Sequence, residues 1–440
     1  RDSSLRLVGS EMCIRDRRDL IRPGEAVSDT DVQQLIRAER RVISGVDLGW
    51  ETNRSLRTRL GFRPSVLSWV RTDFDWTTVY QSDRSANLLE REAVGADTTL
   101  SLARNARGQR DWRVSMAVDP ALAAAAWFGE PQEGEAPEVS QTRSLLRFFR
   151  PFSATYLDGV TSRFNRDPVS PGVGYQLGWG GVNDFRIMDG DTAATLTDRS
   201  TWTLASGIVL PGGGGVQVGY QDTDAETLDA RSDRRTRQRS WPDVQARLPA
   251  VPMPAFTGIR SISLTSGITK TTRDIEFGGR AAQRRFDEDI RVPLDVSVAW
   301  LSTLVTSYQG LRRTGRGEDP TGNTEREEVS HRLSVNTQLL PPGALAQRLD
   351  RPIRLSLLAG YTAEESCRIT VAGDECVAFL DQVRRTVNLS VDTSVGGFEF
   401  GLQLSFDDRQ SFVGQQTGST QFQVGLFGQL DFAAGSLPLR

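Results

Sequence analysis

The chain has 440 residues, of which 38% are hydrophobic and 25% charged, with a formal net charge of −3 and a mean hydropathy of −0.37. Two or three ordinary domains would fit this length. The charge gives no basic footprint for nucleic acid, and no apolar run approaches the roughly 18 residues of a membrane-spanning helix. The basic residues are almost all arginine, with Lys270 the only lysine, which points to a GC-rich genome more than to a binding surface.

Residues 1–17 read as foreign. Val8-Gly9-Ser10-Glu11-Met12-Cys13-Ile14-Arg15-Asp16-Arg17 is what one frame of a common transposon-tagging sequencing adapter encodes, and it is set aside as a tag would be. On that reading the native N-terminus is missing and the lack of a signal peptide is uninformative. Cys13 also drops out, leaving two of the three cysteines.

Residues 18–41 are polar, with Val32, Leu35 and Ile36 suggesting a short helix. Val46, Leu48 and Trp50 open a strand pattern, and Val70, Thr72, Phe74, Trp76, Thr78 and Tyr80 give a clearer one. Val114, Met116 and Val118 give another. Asp119-Pro120 then starts an alanine-rich helix through Phe128, with Asp as N-cap and Pro at the first helical position. An acidic Pro- and Gly-containing linker follows, so that 119–141 forms a short helical and acidic insertion. Phe148 to Leu157 returns to strand.

From residue 173 onward the predicted strands are 173–180, 201–210, 216–220, 241–248, 258–270, 290–300, 303–312, 328–339, 352–361, 382–395, 398–406 and 421–432. The last three are the clearest. Val387, Leu389, Val391, Thr393 and Val395 alternate with polar residues, as do Phe398, Phe400, Leu402, Leu404 and Phe406. Phe422, Val424, Leu426, Gly428, Leu430 and Phe432 follow, with Phe427 alone breaking the pattern. Period two gives a strand one apolar and one polar face, and each run is about the ten residues a tilted strand needs to cross a bilayer.

The links alternate between shorter ones (Pro211–Gly215, Pro249–Phe256, Leu301-Ser302, Leu340–Arg351, Gly396-Gly397) and longer charged ones (181–200, 221–240, 271–289, 313–327, 362–381, 407–420). Short periplasmic turns and long outer loops are the pattern of a transmembrane β-barrel, and a soluble sandwich has no reason for it. The segment 290–312 reads as a hairpin or as one long strand. The second choice would invert every assignment before it. Trp179, Trp202, Tyr220, Trp241 and Tyr361 fall at outer strand ends and Trp300 at an inner one, as interfacial girdles require. The other reading of these rings is aromatic caps on a soluble β core.

Cys367 and Cys376 share one long outer loop, where an oxidising compartment favours a disulfide over two free thiols. Two cysteines and one histidine cannot fill a structural zinc site of four ligands. Gly212–Gly215 lacks the Gly-Lys-Ser/Thr and the helix of a phosphate loop, so it reads as a turn. His331 sits in the alternation of a wall strand. Asp222, Asp224 and Glu226 lack calcium-loop spacing. No nucleophile elbow or HExxH motif occurs. The sequence therefore predicts no catalytic, cofactor or metal residues and no enzymatic activity.

Several stretches carry a family likeness. They are Phe62-Arg63-Pro64 leading to Leu67-Ser68-Trp69, then Phe149-Arg150-Pro151, Pro171-Gly172-Val173-Gly174-Tyr175-Gln176-Leu177-Gly178, Ser240-Trp241-Pro242-Asp243-Val244, and the strands after Val387. In these the chain resembles the C-terminal half of the SprA/Sov family, the outer-membrane translocons of type IX secretion tied to gliding motility. The resemblance implies an all-β transmembrane barrel of 36 strands, with residues 18–440 forming roughly half of its wall. It further implies a bacterial outer-membrane location, folded secreted proteins as cargo, a lateral opening, and a plug and other secretion components as partners. A closed barrel satisfies every backbone group inside the hydrocarbon, which a half-wall alone cannot do. Competing readings are another large outer-membrane barrel (a TonB-dependent receptor or a lipopolysaccharide-inserting protein), a surface β-rich adhesion protein, and, more remotely, a lipid-modifying enzyme barrel.

Overall fold

The computed structural model shows strands of 14 to 25 residues running antiparallel through most of the chain. It describes all residues except 1–4, 20–32, 35, 38–41, 44–45, 48–49, 65–66, 95–96, 130–143, 168, 211, 230–231, 255–256, 279–282, 301–302, 340–348, 350, 372, 374, 396–397, 415–416 and 431–440. For 5–19, 42–43, 46–47, 85–94, 97–103, 166–167 and 430 only the backbone is described.

The strands are β1 (Leu5–Asp19), β2 (Val42–Ile43), β3 (Val46–Asp47), β4 (Trp50–Pro64), β5 (Val70–Val94), β6 (Asp97–Val118), β7 (Phe152–Asp167), β8 (Ile187–Met188), β9 (Asp191–Thr192) and β10 (Thr195–Val209). They continue as β11 (Gly215–Asp229), β12 (Asp233–Pro252), β13 (Ile259–Gly278), β14 (Gln283–Trp300), β15 (Val305–Asp319) and β16 (Gly322–Leu339). The last four are β17 (Ile353–Thr370), β18 (Cys376–Val395), β19 (Phe398–Ser411) and β20 (Thr417–Leu430). The helices that bear on the site are α1 (Pro120–Phe128), α2 (Val173–Leu177) and α3 (Val182–Arg186). Sixteen strands form one sheet in the order β1-β4-β5-β6-β7-β10-β11 and then consecutively to β20. β2 pairs with β3, and β8 with β9, in small separate ribbons.

The adapter-like segment runs as β1 along β4. That pairing is made by backbone groups, which accept any side chains, so it does not bear on the origin of those residues.

The chain forms two compact units. The first is Arg1–Ser206 with Tyr220–Arg239 and Arg273–Arg284; the second is Gly207–Gly219, Ser240–Thr272 and Arg285–Arg440. In the first unit the register sets Phe62, Phe74, Val114, Tyr156 and Trp202 opposite one another across five strands. The neighbouring row, Gly61, Asp75, Arg113, Leu157 and Thr201, points to the other face. In the second unit Val296, Tyr308, Leu333, Ala359, Val387, Phe406 and Phe422 form a row across seven strands. The next row is Ser297, Ser307, Ser334, Leu358, Asn388, Ser405 and Gln423. Each unit therefore has one apolar and one polar face, and the alternation of side chains along paired strands is what separates them. Phe427, the exception to the alternation, lies opposite Gly401 on the polar face.

Several expectations are corrected. Residues 173–180 do not form a strand: α2 spans Val173–Leu177 and ends at Gly178, whose φ is 70°. The Gly-Val-Gly-Tyr-Gln-Leu-Gly run supplies a left-handed terminator that alternation alone does not reveal. The charged links 221–240, 271–289, 313–327, 362–381 and 407–420 are mostly strand, because β11 to β20 run through them to tight tips. Arginine–carboxylate pairs across strands take the place of apolar contacts there: Arg235–Asp224 at 2.6 Å, Arg284–Asp274 at 2.5 Å, Arg368–Asp319 at 2.9 Å and Arg384–Asp407. Such exposed pairs contribute ~0–1 kcal/mol each, so backbone pairing carries these extensions. The cysteines accordingly lie on paired strand ends and not in a loop.

The ambiguity at 290–312 resolves as a hairpin. β14 and β15 pair antiparallel from Phe286–Glu318 to Ala299–Val305, and Trp300 N–H donates to Leu304 O at 3.0 Å. The helix after Asp119 forms over Pro120–Phe128, with Asp119 Oδ1 accepting from the backbone N–H of Ala121 (3.0 Å) and Leu122 (3.2 Å). Of the suggested helix near residue 36, Ile36 is helical and buried, while Val32 and Leu35 lie outside the described residues.

The two faces can be told apart by charge. Leu404 stands between Leu389 and Val424 on the apolar face, and Ser405 between Asn388 and Gln423 on the polar one. Leu404→Arg is expected to destabilise the chain in lipid vesicles by about 2–4 kcal/mol. Ser405→Arg should cost less than about 1 kcal/mol. Denaturant unfolding of both variants measures this.

Candidate functional site

The surface with functional content is the sheet itself. On the apolar face of the second unit, Ile353, Leu355, Leu357, Ala359 and Tyr361 alternate along β17, about 26 Å of strand at 3.3 Å per residue. Leu333, Val387, Phe398, Phe400, Phe422, Val424 and Leu426 on that face are exposed. Apolar surface this continuous is not left in water by a soluble protein. No helix among the described residues is long and apolar enough to cross a membrane.

Aromatic rings end the apolar band. In the second unit Tyr361 stacks on His331, with centroids 6.1 Å apart, and His331 on Tyr308 at 6.0 Å. Tyr308 Oη and His331 Nδ1 are 2.6 Å apart. In the first unit Trp202 packs on Tyr156 (4.5 Å) and Tyr156 on Trp112 (5.0 Å). The Trp112 indole N–H donates to Asp158 at 2.7 Å, and Arg110 pairs with the same carboxylate at 3.1 Å.

Of the six aromatics singled out in the sequence, Trp202 and Tyr361 lie in these clusters. Trp179 stacks on Trp76 at 6.5 Å and 19°. Tyr220 donates its hydroxyl to Asp222 at 3.3 Å. Trp241 is half exposed on β12. Trp300 closes the far end of β14, its indole N–H on Thr306 Oγ1 at 3.1 Å. Trp76, Trp112, Tyr156, Tyr308 and His331 were missed. Each sits at the apolar parity of its strand, but only the register shows that they meet.

Beyond the aromatics the polar face of the second unit carries a lateral ion ladder. Arg291 and Arg313 hold Asp289 at 2.7 and 2.5 Å. Arg313 and Arg326 both reach Glu328 at 3.8 Å, and Arg326 pairs with Glu364 at 2.5 Å. Burial alone would raise the Asp289 carboxyl, but hydrogen bonds from the two guanidinium groups outweigh it and hold it below the usual carboxylate range. Asp222 and Asp224 are held by Arg237 and Arg235, and Glu226 lies 3.9 Å from Arg186, so none of the three is gathered around a cation position. Gly212 to Gly214 lie in a turn, with Leu210 N–H on Gly214 O at 2.7 Å and Gly213 N–H on Leu210 O at 3.2 Å.

Cys367 and Cys376 form a disulfide with Cα atoms 5.4 Å apart, next to the β17–β18 tip. Glu325 comes close to both sulfurs, but sulfurs bonded to each other are not thiolate ligands.

One element lies across the apolar side of the first unit. The insert between β7 and β10 carries α2 and α3 and buries Tyr175 and Phe185 against Tyr80, Val160, Phe164 and Leu196. Tyr175 Oη lies 2.9 Å from Ser162 Oγ. A Cβ on Gly108 would come within 2.6 Å of the Tyr175 ring, so only glycine leaves room for that ring. Burial pushes the Tyr175 hydroxyl up to about 12, against a smaller opposing effect of Ser162.

The chain has the build of a transmembrane β-barrel wall. Alternating apolar and polar faces, an apolar band ended by aromatics, and charge beyond them are what a bilayer demands of strands. No protein-family model matches the chain, and no curated protein matches it. Among solved structures it is similar to a mutant ferric enterobactin receptor of Pseudomonas aeruginosa in complex with enterobactin. The identity is 11% and the TM-score 0.40, over 88% of this chain and 59% of that one. It is also similar to the FpvAI–pyocin S2 complex, at 9% identity and a TM-score of 0.35, over 87% and 60%. The chain thus spans about three fifths of the length of the structures it matches. Likeness at this level carries no functional information.

Two outcomes follow. Reduction of Cys367–Cys376 should accelerate protease cleavage between the cysteines, because opening a ~10-residue loop releases up to about 3 kcal/mol of chain entropy; mass spectrometry of the fragments reads it. Tyr175 has a folded pKa above its ordinary 10.0, so its contribution to stability is complete below pH 10 and is lost as the pH rises through about 12. Phenolate absorbance should show a late step near pH 12 that Tyr175→Phe removes.

Proposed function

We propose that the chain is wall of a protein-translocating channel of the type IX secretion kind that its sequence resembles. The observation that carries this reading is the combination of sheet width and polar face. Sixteen strands lie in one sheet. Serine, threonine, asparagine, glutamine and paired charges line one side of each unit, as in the Ser297-to-Gln423 row. Lumen diameter grows with strand number, and barrels of this size and larger enclose water.

The mechanism needs no side-chain chemistry. The apolar face is held by lipid, and the polar face keeps a wide hole wet. Ion pairs whose charges already neutralise one another, as in the Arg291–Asp289–Arg313–Glu328–Arg326–Glu364 ladder, leave no single-sign field to trap a passing protein. Folded secreted proteins are the cargo on this reading, with a plug and periplasmic components as partners. No enzymatic role, cofactor or nucleic acid is assigned.

Deleting the gene in its native host tests this. The expected result is that secreted proteins disappear from the medium and accumulate in the periplasm. Normal secretion with loss of growth on ferric siderophores would overturn it in favour of a TonB-dependent receptor, the competing reading of the sequence.

A further inference from the structure

The insert of residues 169–194 lies on the membrane side of the wall. Tyr175 touches Tyr80, Phe164 and Ser162. Tyr80, Gly108 and Ser162 stand opposite one another in register. These positions share parity with Trp76, Trp112, Phe74 and Val114, whose face is the apolar one. The opposite face carries Arg59, Thr77, Asp111 and Arg199 in one row.

The segment after α2 then descends along that face toward the apolar band. Tyr175 sits over Gly108 and Tyr80. Gly178 lies over Thr78, two residues nearer the band, where an added Cβ would meet Thr78 Cγ2 at 2.5 Å. Trp179 lies over Trp76, two residues nearer again, at the level of the Trp112–Asp158 row. Gly180 O accepts from Arg110 at 2.8 Å and fixes the turn back. Trp179 is thus the point of this segment nearest the apolar band. One face of its ring is covered by Trp76, yet the residue is 69% exposed.

We propose that this insert is a foot resting in the headgroup layer of the membrane's outer leaflet, with Trp179 as its anchor. This rests on the outer-membrane reading of the wall. The occupant is a lipid surface because the exposed ring continues, without a break, the aromatic row that ends the lipid-facing band. An indole at that level has an apolar body to bury and an N–H that reaches water or headgroup oxygens, which is why tryptophan collects at membrane interfaces. Val173 and Ile187 are further exposed apolar residues of the same insert. The insert therefore braces the wall from outside and does not act as a lumen gate.

The test uses the full chain folded into phosphatidylcholine vesicles whose acyl chains are brominated either near the headgroup or near the chain end. The contribution of Trp179 is the difference in emission between the wild type and Trp179→Phe, a substitution at an exposed site. The expected result is that headgroup-proximal bromine removes most of that difference, chain-end bromine removes little, and aqueous iodide leaves it intact. Quenching by iodide with no effect of either bromolipid would overturn the proposal, whether the ring faces water or a protein partner. The remaining tryptophans serve as the control. If they are quenched by bromolipid while Trp179 is not, only this inference fails. If none is quenched, the membrane reading of the wall fails with it.

Discussion

Every feature of this chain depends on one constraint: inside hydrocarbon, each backbone N–H and C=O must find a partner within the protein. A sheet meets it strand by strand, and the pleat then sends successive side chains to opposite sides. Once one side faces lipid, the other is free to be polar. The row from Val296 to Phe422 and its neighbour from Ser297 to Gln423 are the same seven strands obeying this rule one residue apart. A slip of one residue would put serine and asparagine into lipid, so the apolar contacts fix the register that the backbone alone leaves open.

The aromatic rows mark where the constraint relaxes. Below them, charge on the outer face is expensive. At that level it is tolerated when satisfied, as Asp158 is by the Trp112 indole and Arg110. Beyond them the strands continue with arginine–carboxylate pairs in place of apolar ones, as at Arg235–Asp224 and Arg237–Asp222. These pairs are solvent-screened and contribute little stability. Their role is to keep long strand extensions soluble and mutually compatible. The insert over Tyr80 and Phe164 occupies the same boundary. It has a small aromatic core of its own because the sheet face beyond the girdle is still apolar there, and something must cover it.

Much of this was legible from residue order. The wall strands after Val387, the helix start at Asp119-Pro120, the cysteine pair and the exclusion of a phosphate loop at Gly212–Gly215 all rest on local pattern. Two readings went astray for physical reasons, and one partnership left no trace in the sequence. Charged segments such as 221–240 look like loops because sequence alternation signals burial, and these strands bury little. Val173, Tyr175 and Leu177 imitate a strand because five residues are too few to separate a period of two from a period of 3.6. His331 and Tyr308 carry no mark of an aromatic stack in either strand taken alone, since their partnership is a matter of register.

The sequence by itself determined the class of the fold, because period two in runs of ten residues can bury only one face and thereby selects a membrane-facing sheet. It also determined the disulfide partners, since only two cysteines remain once the adapter-like segment is set aside. Only the tertiary structure decided which strands neighbour one another, that 290–312 is a hairpin, and that the insert after β7 lies on the apolar face of the wall. Those outcomes depend on pairing between residues distant in the chain, such as Tyr175 with Tyr80 and Gly108, where a ring on one segment fits only because a glycine on another leaves room for it.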